Sequence, residues 1–248
     1  MGKNSRYSHV VVLGCGRSGT SIFGELFEDI PGYSYYSEPS FDEFLQLDFS
    51  NPVAAKVPKE SDKHVSSPGL SFPLEKLLTV VPKPMKVYWQ VRHPLDTVAS
   101  LTVGISKNWG HHPKPPDWQD WLNRPLIERC AHHWDYINRV GYQQVKDIAE
   151  VCYFEDMVGD PKAFAQRIYL DIGGSANNTN ILQNWASRVQ DRNNDKFIEA
   201  RTSREYSRPD HIKKVGRWRE NLNKEQVAMA IPIVEETAKL FGYDLSEI

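Results

Sequence analysis

The segment VVVLGCGRSGTS, residues 10–21, is the part of the sequence that decides the fold. Its first four residues form an apolar, β-branched run, which predicts a buried strand. Three glycines follow at positions 14, 16 and 19, and from residue 18 to residue 29 large apolar side chains recur at helical spacing. A strand, a glycine-rich turn and a helix in immediate succession predict a loop whose backbone N–H groups converge on an anion.

The same order of strand and helix recurs further along the chain. Strands are predicted at residues 33–37, 86–91 and 150–154, and helices at residues 94–101, 126–147 and 161–172. This alternation predicts an α/β fold, a single domain over residues 1–248 with a central parallel sheet flanked by helices. Long loops are predicted at residues 48–71, 104–117 and 191–214, which are rich in Pro, Asn, Ser, Lys and Arg.

The composition is that of a globular protein, with 40% hydrophobic and 25% charged residues among 248. The chain has 30 Lys and Arg and 32 Asp and Glu, so it lacks the basic excess of a general nucleic-acid binder. Any anion-binding site must therefore be a local cluster of positive charge. No apolar run approaches the roughly 20 residues of a membrane helix, and no secretory signal core opens the chain, so a cytoplasmic protein is expected. Cys15, Cys130 and Cys152 lack Cys-x-x-Cys spacing and are expected to be thiols.

The glycine-rich loop departs from the nucleotide loop G-x-x-x-x-G-K-[ST] at one position. Gly14, Gly19 and Ser21 match that motif, but Thr20 stands where its lysine would reach the β and γ phosphates. Arg17 supplies a cation inside the loop instead. The predicted strand that follows residue 85 also ends without a carboxylate that could hold magnesium. The loop therefore predicts phosphate recognition without a metal.

The loop resembles that of the sulfotransferase family that uses 3′-phosphoadenylyl sulfate (PAPS), whose fold is related to P-loop kinases. The matching residues, which bind the 5′-phosphosulfate in that family, are Gly16, Arg17, Ser18, Gly19, Thr20 and Ser21. A Lys or Arg takes the position of Arg17 in the family. The resemblance implies a fold like that of P-loop nucleoside triphosphate hydrolases, with PAPS as the sulfuryl donor and no metal.

A second segment, residues 92–100 (RHPLDTVAS), resembles the family's 3′-phosphate element. In that element an Arg and a Ser eight positions apart bind the phosphate, and Arg92 and Ser100 have this spacing. A weaker match, residues 153–161 (YFEDMVGDP), is similar to a segment near the adenine, with Phe154 at the usual Tyr.

A fourth segment, residues 213–219 (KKVGRWR), resembles the family's C-terminal loop that covers the nucleotide. The resemblance implies cofactor contacts from Lys214, Gly216, Arg217 and Trp218. The Arg-Lys-Gly triplet of the family's cytosolic branch is absent. The four segments occur in the family's order along the chain.

Two residues are candidates for the general base. Glu38 lies 21 residues after Arg17 at the end of the second predicted strand, where open α/β sheets place their sites. Membrane-associated carbohydrate and tyrosylprotein sulfotransferases use a Glu in this region, and the Glu38-Pro39 pair resembles the carbohydrate branch. The cytosolic branch uses a His, which makes His64 the rival.

The resemblance implies in-line transfer of a sulfuryl group from PAPS to an acceptor hydroxyl or amine. Glu38 would take the acceptor's proton, and Arg17 would stabilise charge on the departing phosphate. The acceptor can be a small molecule, a carbohydrate or a peptide; neither nucleic acid nor a membrane span is expected. Two alternatives remain: a nucleotide or small-molecule kinase of related fold, and a regulatory protein that binds the desulfated product adenosine 3′,5′-bisphosphate (PAP) without turnover.

Overall fold

A five-stranded parallel sheet forms the centre of the molecule in a computed structural model, which describes residues 7–56, 79–176, 180–190 and 215–248. The strands are β1 (His9–Gly14), β2 (Ser34–Ser37), β3 (Val53–Lys56), β4 (Met85–Val91) and β5 (Ala149–Tyr153). Their order across the sheet is β2-β3-β1-β4-β5, and every neighbouring pair is parallel. The predicted α/β fold with a central parallel sheet is confirmed.

Helices cover both faces of this sheet, as all-parallel sheets require. They are α1 (Thr20–Gly24), α2 (Phe41–Phe44), α3 (Pro94–Ser106), α4 (Leu126–Tyr136), α5 (Phe154–Gly159), α6 (Pro161–Asp171), α7 (Gln183–Gln190), α8 (Trp218–Asn221) and α9 (Lys224–Leu240). Helix α1 continues as a 3₁₀ turn (Glu25–Glu28), and α4 continues as a π turn (Ile137–Gly141). A further 3₁₀ turn (Asn180–Leu182) precedes α7.

Alternate residues of β1 enter two different cores, because successive side chains of a strand point to opposite faces. Val11 and Leu13 pack with α3, α4 and α9 on one face. Val10 and Val12 pack with α1, α6 and α7 on the other. All three cysteines are buried free thiols. Within the described ranges, no helix is both long and apolar enough to cross a membrane.

The prediction of an unbroken loop over residues 48–71 is wrong, since β3 lies inside it. This strand pairs with both β1 and β2, so the sheet has five strands where four were predicted. The strand that precedes Arg92, predicted as the third in chain order, is therefore β4. Two of the four residues of β3 are alanines, which carry little of the β-branched signal that marks strands. The predicted helix over residues 126–147 ends early, and α9 was not predicted. The predicted loop at residues 191–214 lies outside the described residues.

Candidate functional site

The phosphate loop, residues 14–21, follows β1 and is held tightly against the sheet. Gly14 has a φ of 144°, and a Cβ at this position would lie 2.3 Å from the carbonyl oxygen of Gln90 in β4. Gly19 has a φ of 87°, and its Cβ would lie 2.5 Å from the ring of Phe154. Only glycine fits such close approaches at a positive φ. The loop backbone is therefore confined by β4 at its start and by the first residue of α5 further along.

Arg17 joins the two strongest motifs of the sequence. It has a left-handed φ of 69°, and its Nε donates a hydrogen bond of 3.1 Å to the Ser100 hydroxyl in α3. In the other direction, Nη1 of Arg92 donates to the carbonyl oxygen of Arg17 over 3.3 Å. The fold thus brings the predicted loop cation together with both predicted 3′-phosphate residues.

Arg92 is held from three sides and is only 2% exposed. Its guanidinium carbon lies 4.2 Å from the centre of the Phe154 ring, and Nη2 lies 3.9 Å from the Asp96 carboxylate. Phe154, which stands at the family's Tyr position, therefore supports both Arg92 and Gly19. No donor hydroxyl is present on this ring, so its contribution is packing.

Three arginines concentrate positive charge at this edge of the sheet. Burial, together with the nearby charges of Arg92 and Arg217, lowers the pKa of Arg17 to about 10, against the opposing effect of Glu38. Burial likewise lowers the pKa of Arg92 to about 10, against the opposing effect of Asp96 and with a contribution from Arg217. Arg17 and Arg92 therefore remain protonated at neutral pH, and an anion bound beside the three arginines would relieve their repulsion.

Asp96 fastens the C-terminal loop to the site, a role that the sequence did not reveal. This fully buried carboxylate accepts hydrogen bonds from the backbone N–H groups of Gly216 (2.7 Å) and Trp218 (2.8 Å). Trp218 also stacks on His93, with ring centres 6.1 Å apart and planes 5° from parallel. The contacts bring Gly216, Trp218 and the buried Arg217 beside α3. The predicted contact residue Lys214 lies outside the described residues.

We expect Asp96→Asn to loosen this attachment. The amide keeps one acceptor oxygen but loses the charge that two N–H donors and Arg92 share, which should cost about 1–3 kcal/mol of unfolding free energy. Hydrogen exchange at the Gly216 and Trp218 amides, with a thermal melt, measures the effect. Asp120→Asn at an exposed position is the control. Unchanged exchange at both amides would contradict the role given to Asp96.

Glu38 lies directly after β2, with a left-handed φ of 53°. Its backbone N–H donates to the carbonyl oxygen of Lys56 over 3.0 Å, which continues the pairing of β2 with β3. Its side chain is 23% exposed, and Oε1 lies 2.5 Å from Nζ of Lys56, which is almost fully buried. The rival base His64 lies outside the described residues.

Lys56 connects Glu38 to the phosphate loop. Its Nζ also donates a 2.9 Å hydrogen bond to the hydroxyl of Ser21. In nucleotide loops the Ser or Thr at this position holds Mg²⁺. Here Ser21 faces an ammonium group instead. The sequence pattern did not indicate Lys56, because this residue ends β3, a strand whose sequence carries little strand signal.

The remaining loop residues and a histidine complete the site. Ser18 and Thr20 are buried, and Gly16 lies against the ring of His111, since a Cβ there would be 3.3 Å from Nδ1. Burial holds the pKa of His111 well below its usual range, so this ring is neutral at physiological pH. Across the described part of the chain, no group of three or more His, Cys, Asp and Glu side chains could hold a metal ion.

Comparison with known proteins identifies the fold. No protein-family model and no curated protein matches the sequence. Among solved structures, mouse sulfotransferase SULT7A1 complexed with PAP is similar, with a TM-score of 0.60, 16% identity, and coverage of 96% of this chain and 85% of that chain. Retinol dehydratase in complex with androsterone and the inactive cofactor PAP has a TM-score of 0.54 and 14% identity, covering 100% and 85%.

A third similar structure is the sulfotransferase domain from the curacin biosynthetic pathway, with a TM-score of 0.53 and 12% identity. The alignment covers 96% of this chain and 99% of that domain. The chain therefore has the fold of these sulfotransferases over nearly its whole length. The P-loop-like fold expected from the resemblance is confirmed.

Proposed function

We propose that this protein is a PAPS-dependent sulfotransferase, an enzyme that transfers a sulfuryl group to an acceptor hydroxyl or amine. The observation that carries the proposal is the joining of Arg17, Ser100 and Arg92 at the phosphate loop. The sequence motifs for the two phosphates of PAPS are 75 residues apart along the chain, counting from Arg17 to Arg92. In the folded chain they share hydrogen bonds at one edge of the sheet.

The charges of the site fit a nucleotide with phosphates at two positions. We assign Arg17 and the loop residues Gly16, Ser18, Gly19, Thr20 and Ser21 to the 5′-phosphosulfate. Arg92 and Ser100 are assigned to the 3′-phosphate, with Gly216, Arg217 and Trp218 covering the nucleotide. Repulsion among the three neighbouring arginines supports this assignment, because a polyanion would relieve it. Lys214 is retained from the resemblance alone.

Glu38 and Lys56 are the proposed transfer residues. PAPS supplies the sulfuryl group and a 5′-phosphate leaving group. Glu38, partly exposed at the edge of the sheet, takes the proton of the acceptor hydroxyl or amine as the acceptor's oxygen or nitrogen attacks the sulfur. The Lys56 ammonium stabilises the charged form of Glu38 and, from beside Ser21, negative charge on the transferring group. Arg17 neutralises charge on the departing phosphate. The positive charge that a kinase draws from magnesium thus comes from side chains.

The acceptor is proposed by class only, as a small molecule, a carbohydrate or a peptide. The Glu38-Pro39 pair favours the carbohydrate and tyrosylprotein branches of the family. A kinase of related fold is disfavoured by Thr20 in place of the loop lysine and by the ammonium beside Ser21. A regulatory PAP-binding protein would have the same nucleotide contacts but no turnover, so a screen of hydroxyl compounds with PAPS separates it from an enzyme.

PAP is expected to stabilise the protein in EDTA, because side chains rather than a metal provide the positive charge. At a PAP concentration 100 times its dissociation constant, binding should add about 2.7 kcal/mol to the free energy of unfolding, which raises the melting temperature by about 5–10 °C. Thermal melts with PAP, adenosine 5′-monophosphate and ATP, each with EDTA and with magnesium, measure this. The monophosphate, which lacks the 3′-phosphate, should stabilise less at equal concentration. Stabilisation by ATP with magnesium and none by PAP would favour the kinase.

A further inference from the structure

Four polar side chains lie at alternate positions along β4 and its end, on the sheet face that α1 and α6 cover. They are Lys86, Tyr88, Gln90 and Arg92. The face is identified by Tyr88, whose ring lies 5.4 Å from that of Phe23 in α1, in the same core as Val10 and Val12 of β1.

Three of these four side chains are paired. Lys86 Nζ lies 2.5 Å from one carboxylate oxygen of Asp171, and the Tyr88 hydroxyl donates to the other over 2.6 Å. Arg92 donates to the Arg17 carbonyl oxygen. Gln90 is 0% exposed, and neither its amide nitrogen nor its amide oxygen has a hydrogen-bond partner among the described residues.

Gln90 lies beside the first residue of the phosphate loop. In the sheet it is paired in register with Gly14 of β1 and Cys152 of β5. Above Gly14 lies the methyl group of Thr20, 3.2 Å from where a glycine Cβ would be. Gly14 has no side chain, so the Gln90 side chain is buried next to the first residue of the loop, on the same face of the sheet as Arg92.

An unpaired buried amide is costly, because it loses its hydrogen bonds to water and gains none from the protein. An apolar side chain would avoid this cost, as Val87 and Val91 do on the opposite face of the strand. Ser18 in the loop shares the property: it is fully buried, and its hydroxyl has no partner among the described residues. An amide and a hydroxyl can each donate and accept, so both can form hydrogen bonds once the loop changes conformation.

We propose that Gln90 is a positioning residue for the phosphate loop, with an amide that is unpaired in the ligand-free loop and paired when the loop binds the nucleotide's 5′-phosphate. This inference rests on the proposed function. Because the N–H and C=O of a peptide plane point in opposite directions, a loop that turns its N–H groups toward an anion turns carbonyl oxygens toward the sheet. The amide nitrogen of Gln90 can then donate hydrogen bonds to these carbonyl oxygens. Nucleotide binding then recovers hydrogen bonds that the free protein lacks.

Gln90→Met tests this, since it keeps the size of the side chain and removes its polar atoms. Without ligand, the variant should melt about 2–6 °C above the wild type, because an unpaired amide has been removed from the core. Its PAP dissociation constant by calorimetry should be about 5–100 times weaker, since the bound loop loses its partner. Gln90→Leu is a second apolar variant should the methionine variant not fold.

Tyr88→Phe is the matched control, two residues earlier on the same face of β4. It removes a hydroxyl that is already paired, so it should lower the melting temperature and leave the PAP dissociation constant unchanged within about twofold.

A lower melting temperature for both Gln90 variants would overturn the proposal, because the amide would then be paired in the free protein. A raised melting temperature with unchanged PAP affinity would overturn it too. Absence of PAP binding to the wild type in the same titration would refute the proposed function, and the Gln90 proposal with it. Normal wild-type binding beside unchanged variant binding refutes the Gln90 proposal alone.

Discussion

Glu38→Gln is expected to lower turnover by about 100 to 10,000 times while PAP binding persists, the usual range for loss of a general base. The substitution preserves the size of the side chain but removes the charge that accepts a proton. The hydrogen bonds that join Arg17, Ser100 and Arg92, the residues assigned to the two phosphates, do not involve the Glu38 side chain. The substitution should therefore slow the transfer step and leave nucleotide binding largely unchanged.

The measurement pairs PAP affinity by calorimetry with turnover of PAPS on an acceptor found by screening hydroxyl compounds. Glu43→Gln is a suitable control, because Glu43 is an exposed carboxylate in the capping box of α2, where glutamine serves equally well. His64→Ala is measured in parallel. Near-normal turnover of Glu38→Gln with abolished turnover of His64→Ala would identify the histidine as the base.

Lys56→Met is expected to have the largest effect on stability. Its ammonium is almost fully buried and bonded to both Glu38 and Ser21, so its removal leaves a carboxylate without its nearest cation. Breaking a buried ion pair in this way costs about 3–5 kcal/mol of unfolding free energy. Because Glu38 is partly exposed, we expect a loss of about 3 kcal/mol. Turnover should fall as well if, as proposed, the ammonium beside the loop stabilises negative charge on the transferring group.

A double-mutant cycle separates these two effects. Urea unfolding of Lys56→Met, Glu38→Gln and the double variant measures the coupling between the two side chains. The double variant should be more stable than Lys56→Met alone, since the neutral amide needs no cation. Additive losses of stability would show that the ion pair has no net coupling. Turnover of the double variant should remain as low as that of the less active single variant.

The sequence by itself determined the elements whose signals are local. The apolar run of β1, the glycines that follow it and the helical spacing after residue 18 lie next to one another, so strand, loop and helix could be predicted together. The segment of residues 92–100 could also be found from the sequence alone, because the spacing of eight between Arg92 and Ser100 is the one in the 3′-phosphate element that it resembles. For Glu38 the position after a strand was enough to propose a site at the sheet edge.

Only the tertiary structure decided how these segments meet, because parallel pairing joins strands that are far apart in sequence. The strand β3 is four residues long and half alanine, and its place between β1 and β2 comes from pairing with both. That pairing sets Lys56 beside Glu38 and Ser21. Asp96 and Gln90 could not be predicted for the same reason, because the fold alone sets their burial and their partners. It brings two backbone N–H groups to Asp96 and leaves the Gln90 amide without a hydrogen-bond partner among the described residues.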